Sequence, residues 1–190
     1  MKFKSVVLVI FFLVLLIGCD APEKNNAKSN LYFDIKGVLR HQIILFKKTN
    51  PKIEKTATLN GNTSKSRLNK VDWNKELKPF ESIDINKSIY KGTFLSLSKT
   101  TDTGLVNYYF KKAEAKADIQ SLKVIFTKSN KLQSIEGLEK TSNPVFSSQR
   151  KYLMNFDTSN LKLKSYELTG WQGFRFFKRD SFSVEGVVVE

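Results

Sequence analysis

The sequence predicts an α+β fold: an N-terminal helix packed on a curved antiparallel sheet of about six or seven strands. Three observations predict it. Apolar residues recur at helical spacing between positions 31 and 48. From Tyr90 to the C-terminus the pattern changes to period two. The alternating runs are separated by short polar turns, which join antiparallel neighbours.

Ile35, Leu39, Ile43 and Phe46, with Val38 on the same side, define the apolar stripe of the first helix. Asn30 is placed to cap it. Asp34 falls in the first turn and Lys47 and Lys48 in the last, as the helix dipole favours. Asn50-Pro51 ends it, because the residue before proline is pushed out of the helical region.

The stretch 52–68 carries the strongest local signal. Asn60-Gly61 is the preferred pair for a two-residue type I′ hairpin turn. Closure there sets Ile53 opposite Leu68, Glu54 opposite Arg67 and Thr58 opposite Thr63, all favourable cross-strand pairs. This N-terminal hairpin is expected beside the main sheet. A second, short helix follows, capped by Asp72, with Trp73, Leu77 and Phe80 on one face and a break near Pro79.

The sheet is read from "GTFLSLS", "LVNYYFKK", "SLKVIFTK", "KLQSIEGLEKT", "KYLMNFD", "LKLKSYEL", "GFRFF" and "SFSVEGVVV". Ser129-Asn130 marks one turn. Gly170 and Gly173, flanking Trp171, are expected at a bulge or bend.

The N-terminus has a different character. Lys2 and Lys4 precede an uncharged run over 5–18, about 14 residues, shorter than the roughly 20 a spanning helix needs. A basic flank and a short apolar core describe an export signal. The run ends in Leu16, Ile17, Gly18 and Cys19, which resembles the lipobox of bacterial lipoproteins. That resemblance implies cleavage after Gly18, diacylglycerol on the Cys19 sulfur and an acyl group on its amine. It accounts for the single cysteine of the chain, which can form no internal disulfide. The organisation expected is a signal peptide over 1–18, a lipidated polar tether over 19–30 and one α+β domain over 31–190. Order along the domain also resembles small lipoproteins of Bacteroidetes type, through the "NG" hairpin, the "W…EL" segment and the final "VEG". That likeness brings no activity with it. The Lys- and Asn-rich composition suggests an AT-rich genome of Bacteroidetes type, where such lipoproteins commonly reach the outer membrane; that location is expected, although Asp20 after the cysteine resembles an inner-membrane retention signal in enteric bacteria.

Cleavage would leave 172 of the 190 residues. The 32 basic residues would become 30 while the 18 acids stay, a net charge of +12. The cations are mostly lysines scattered along the chain without a dense block, which argues against nucleic acid as partner. They suit a solvated surface or attraction to anionic headgroups.

Catalytic motifs are weak. His41, the single histidine, lies within the first helix and has no partner motif, so no histidine-rich metal site can form in one chain. Ser-x-x-Lys occurs at Ser88, Ser96 and Ser159, without the Ser-Asp-Asn and Lys-Thr-Gly companions of β-lactamases. Carboxylate pairs for hydrolysis are Glu76, Glu81 and Asp84 in the second helical region, and Glu136 with Glu139. "WQGFRFFKR" over 171–179 interleaves rings and cations. Trp171 and Arg175, with Tyr166 nearby, are the candidate ligand-binding residues. The 15 Phe, 6 Tyr and 2 Trp could also line a groove for a hydrophobic ligand between first helix and sheet. That arrangement resembles the periplasmic carriers of lipids and lipoproteins in architecture. The expectation is a lipid-anchored envelope protein that binds or scaffolds without catalysis, and that needs no cofactor beyond its acyl chains. A carrier of hydrophobic ligand and a carboxylate-dependent hydrolase are the alternatives. Partners are the membrane and an envelope protein or hydrophobic ligand.

Overall fold

A computed structural model of the chain describes residues 31–189. The signal segment, Cys19 and the tether lie outside the described residues. The strands are β1 (Lys52–Leu59), β2 (Asn62–Leu68), β3 (Phe94–Thr101), β4 (Gly104–Lys111), β5 (Ile119–Thr127), β6 (Leu132–Ser142), β7 (Phe146–Phe156), β8 (Leu163–Phe174) and β9 (Asp180–Val189). They form one open antiparallel sheet of nine strands in the order β2-β1-β9-β8-β7-β6-β5-β4-β3. The helices are α1 (Ile35–Thr49) and α2 (Trp73–Leu77), the latter running into a 3-10 turn over Lys78–Ile83.

This corrects the expected fold class. The described chain is mainly β, and the sheet has nine strands rather than six or seven. The hairpin is no appendage: β1 pairs with β9 from Lys52↔Val189 to Leu59↔Phe182. Nothing local to either segment encodes a ladder between positions about 130 residues apart, because alternation reports a strand's faces and not its neighbour. Gly170 and Gly173 are also not bulges. They pair in register with Arg150 and Ser147, and the irregularity between β7 and β8 lies at Asn155/Phe156.

The local signals that the sequence carries strongly are present. β1 and β2 pair Ile53↔Leu68, Glu54↔Arg67 and Thr58↔Thr63. The turn residues Asn60 and Gly61 both have positive φ, as a type I′ turn requires. The cap of α1 is Asp34 rather than Asn30. Its carboxylate accepts from Gly37 N at 2.9 Å, so the helix begins at Ile35, the first residue of its apolar stripe, four residues later than a cap at Asn30 would set. Asn50 closes α1 in the left-handed conformation. Asp72 caps α2 by accepting from Asn74 N and Lys75 N.

Both helices and the 3-10 turn lie on one face of the sheet. Ile35, Leu39 and Phe46 of α1, Trp73 and Leu77 of α2, and Phe80 and Ile83 bury against Ile53, Leu122, Val124, Ile135, Tyr152, Met154 and Tyr166. Two glycines admit that layer. A Cβ on Gly186 would strike the Tyr166 ring, and one on Gly137 would strike Ile83. Gln42 is one of four buried polar residues among those described, with Asp84, Ser134 and Ser148. Its Nε2 donates to Leu161 O at 3.0 Å and its Oε1 accepts from Leu163 N at 2.8 Å. It thereby clamps the β7–β8 turn, where Leu161 holds a positive φ of 60° that a residue with a Cβ rarely adopts.

Gln42→Ala should therefore lower the unfolding free energy by about 1–3 kcal/mol, because the Leu163 N–H stays buried without its acceptor. Urea denaturation of wild type and variant measures this. An unchanged midpoint at unchanged slope would show that the turn does not need the clamp.

Candidate functional site

Alternation decides which sequence-selected residues meet. Glu136 and Glu139 are three apart on β6 and point to opposite faces. Glu139 lies with Tyr152 on the helix-covered face, and Glu136 lies with Lys123 on the other. The acids of the second helical region do not converge either. Glu76 takes Lys55 Nζ at 2.7 Å and the Tyr166 hydroxyl. Asp84 pairs with Lys36 at 3.3 Å and accepts from Asn86 N at 2.9 Å. Glu81 is exposed.

On the covered face these polar groups fasten the helical layer to the sheet. Tyr166 rises from β8 to donate to Glu76 of α2. Tyr152 rises from β7, donates to Glu139 and accepts from Ser82 Oγ at 2.8 Å. Burial pushes the Tyr166 hydroxyl far above its ordinary value of 10.0, and Glu76 adds to the shift. Burial, helped by the Glu139 hydrogen bond, pushes Tyr152 up to about 12. Both phenols therefore remain protonated donors at neutral pH.

The three candidate ligand-binding residues occupy three environments. Tyr166 is buried on the covered face. Trp171 has the opposite parity on β8 and lies on the uncovered face, with the Arg179 guanidinium 4.2 Å over its ring. Arg175 is beyond the strand end, exposed in the β8–β9 turn. They do not form one site. The groove expected between first helix and sheet is filled by Ile35, Leu39, Phe46, Trp73 and Leu77, each at most 2% exposed. His41 is exposed on α1. Among the described residues, no three His, Cys, Asp or Glu side chains gather as a metal-ligand set.

The uncovered face holds a different hollow, of about 510 Å³. The register builds it from two neighbouring rows that cross the sheet. One row runs Leu97, Tyr108, Lys123, Glu136, Leu153, Glu167 across β3 to β8. The other runs Leu95, Phe110, Ser121, Leu138, Lys151, Thr169. Tyr108 and Phe110 stack with rings 5.7 Å apart and 9° from parallel. Lys123 and Glu136 pair at 2.9 Å along its floor. Leu95 and Leu97 extend the apolar surface to the β3 edge, each 58% exposed. The result is an apolar trough with charge in its middle, open to solvent.

The sequence does place Tyr108 and Phe110 on one side of a strand. It does not show Leu138, Leu153 or Glu167 beside them, since that follows from the register of five strands. The chain matches no protein-family model, no curated protein and no solved structure. What this surface does therefore has to be argued from its chemistry.

Tyr152 and Tyr166 generate a pH dependence with a definite sign. Each folded value lies above the unfolded value of about 10. Their stabilising contribution is therefore complete below pH 10 and falls as pH rises above it, that of Tyr152 through about 12 and that of Tyr166 over a still higher range. Urea midpoints measured across that range should fall more steeply for wild type than for the double variant Tyr152→Phe, Tyr166→Phe. Parallel slopes would show that neither phenol carries the alkaline loss.

Proposed function

We propose that this chain is a lipid-anchored, non-enzymatic binding protein of the bacterial envelope, tethered to the outer membrane through acylated Cys19. Its uncovered sheet face takes an amphiphilic ligand. The carrying observation is the hollow on that face. Stacked Tyr108 and Phe110, with Leu138 and Leu153, suit an apolar body, while Lys123, Glu136, Lys151 and Glu167 offer partners for a polar head. Its volume of about 510 Å³ falls in the range of small-ligand sites. The lipobox with its basic flank and short apolar core supports the anchor. Commitment of the acids supports binding over catalysis. Glu76 joins α2 to the sheet through Lys55 and Tyr166, Glu139 takes the Tyr152 hydroxyl, Asp84 is paired with Lys36 of α1, and Glu136 is paired to Lys123 with its side chain 43% exposed.

A second reading has its own observation. β3 is an edge strand whose apolar residues Leu95 and Leu97 are exposed, whereas the other edge, β2, carries Lys65 and Arg67. Charged edges resist pairing, and apolar ones invite an added strand from a partner protein.

Two measurements test the proposal. Mass spectrometry of protein recovered from membranes should find Cys19 as the N-terminus with diacylglyceryl and acyl mass, and Cys19→Ala should abolish both the mass and the membrane fractionation. An unmodified Cys19 behind an intact leader would overturn the anchor. Titration with a dansyl-labelled fatty acid should give saturable binding. Phe110→Ser with Leu153→Gln should weaken it roughly tenfold or more, since each lost apolar contact is worth about 1.5–3 kcal/mol when fully buried. Saturable binding indifferent to both substitutions would move the ligand elsewhere. No binding at all would leave the β3 edge as the surface to crosslink.

A further inference from the structure

One rim of the sheet presents large apolar side chains to solvent beside clustered cations. Antiparallel register places the β8–β9, β6–β7, β4–β5 and β1–β2 turns, and the start of β3, along that same rim. At the β8–β9 turn Phe176 is 89% exposed and Phe177 75% exposed, and Phe174 is 55% exposed beside Val145 of the β6–β7 turn at 63%. Arg175, Lys178 and Arg179 stand among them, all exposed. Apolar exposure on this scale within six residues is unfavourable in water and needs a reason.

The tip is built rather than loose. Arg175 N donates to Val145 O at 2.9 Å, which ties the two turns together. Asn143 Oδ1 accepts from Val145 N and Phe146 N at 2.9 and 2.8 Å. Asn60 of the β1–β2 turn donates to Asp180 at 2.7 Å and accepts from Ser181 N at 2.9 Å. Asp180 is the acid nearest the tip cations in sequence, and Asn60 turns it toward the β1–β2 side. Phe146, Phe174 and Phe177 form an edge-to-face series at 5.6 and 6.4 Å. Around them a polar hollow of about 290 Å³ is lined by Arg175 and Arg179 together with Asn143 and those rings. Two arginines beside an aromatic cluster, with the Arg179 guanidinium resting over Trp171, suit a phosphate whose attached chains are apolar.

We propose that this tip is a membrane-docking site that seats an anionic phospholipid headgroup between Arg175 and Arg179 and inserts Phe176 and Phe177 into the bilayer interface. Rings flanked by cations are the composition that lies at an anionic lipid surface. The chain enters on the same rim. Tyr32 hydroxyl both donates to Phe94 O at 3.3 Å and accepts from Phe94 N at 3.2 Å, at the start of β3, and Leu31 beside it is 60% exposed. Leu31, where the described chain begins, therefore lies on the rim that carries the tip. The sheet then stands upright on the membrane, with its uncovered face directed sideways. The choice of a bilayer over a protein surface draws on the envelope reading, while the tip's chemistry is independent of it.

The test uses full-length protein reconstituted into vesicles, with Phe176→Trp as a reporter at an exposed site. Brominated phosphatidylglycerol should quench the added indole by roughly half or more relative to wild type, whose tryptophans are the buried Trp73 and the half-buried Trp171. Raised salt, or Arg175→Gln with Arg179→Gln in the reporter background, should remove that quenching. Quenching of equal depth in brominated phosphatidylcholine would overturn the anionic headgroup. No quenching above wild type in protein shown to be incorporated would overturn the membrane and make a protein the occupant of the tip. Failure of the Cys19 anchor is read separately, from the mass of its peptide.

Discussion

A sheet nine strands wide has two large faces, and this chain has helix enough to cover one. The fold depends on fastening that thin helical layer, and the fastening is made by two tyrosines. Tyr166 and Tyr152 stand up from adjacent central strands, lay their rings against Phe80 at 5.4 and 5.8 Å, and carry their hydroxyls through the core to Glu76 and to Ser82 and Glu139. Each phenol supplies apolar area at its base and a charge-assisted hydrogen bond at its tip, to a half-buried carboxylate that a purely apolar side chain could not engage. Gly186 and Gly137 are the complement on the sheet, since a side chain at either would occupy the space that Tyr166 or Ile83 fills.

With one face sealed, the other is left open to solvent. Its apolar residues are concentrated on β3, β4, β6 and β7, while the β1–β2–β9 end carries Glu54, Thr56, Lys65, Arg67 and Glu185. A face meant only for water would spread polar residues over both halves. The division therefore leaves an apolar half and a polar half on the same face. The same economy applies at the rims. The end that holds the 157–162 turn is clamped from α1 by Gln42 and spends its polar groups on the fold. The opposite rim turns Phe176, Phe177 and three cations outward. Much of the exposed apolar surface gathers on one face and one rim, where Leu95, Leu97 and Phe110, and Phe174, Phe176 and Phe177, stand in solvent.

What was legible in the sequence was whatever short-range physics controls. Asn60-Gly61 needs two positive φ values, and only one closure satisfies them while pairing Glu54 with Arg67 and Thr58 with Thr63. Asp72 and Pro79 bound α2 through a carboxylate cap and a missing N–H. Trp73, Leu77 and Phe80 were readable as one face because helical spacing is local. The cap of α1 is ambiguous in the sequence for an equally local reason: Asn and Asp are both capping residues, and Asp34 is the one that accepts from Gly37 N.

The tertiary structure decided the rest. Residues 52–59 and 180–189 read separately as strands, and only the assembled ladder makes them neighbours and brings the sheet to nine. That long-range pairing also carries the fold from the expected α+β arrangement to a mainly β one. Alternation could say that Tyr166 and Trp171 lie on opposite faces, but not which face the helices would take. Once they took that of Tyr166, the aromatic groove moved from beneath α1 to the uncovered side, where Tyr108, Phe110, Leu138 and Leu153 meet. The sequence by itself determined the turns, the caps and the faces of each strand, because these depend on residues a few positions apart. Which strands adjoin, which face is sealed and where the cations and rings of residues 174–179 point depend on contacts between distant segments, and no local pattern encodes those.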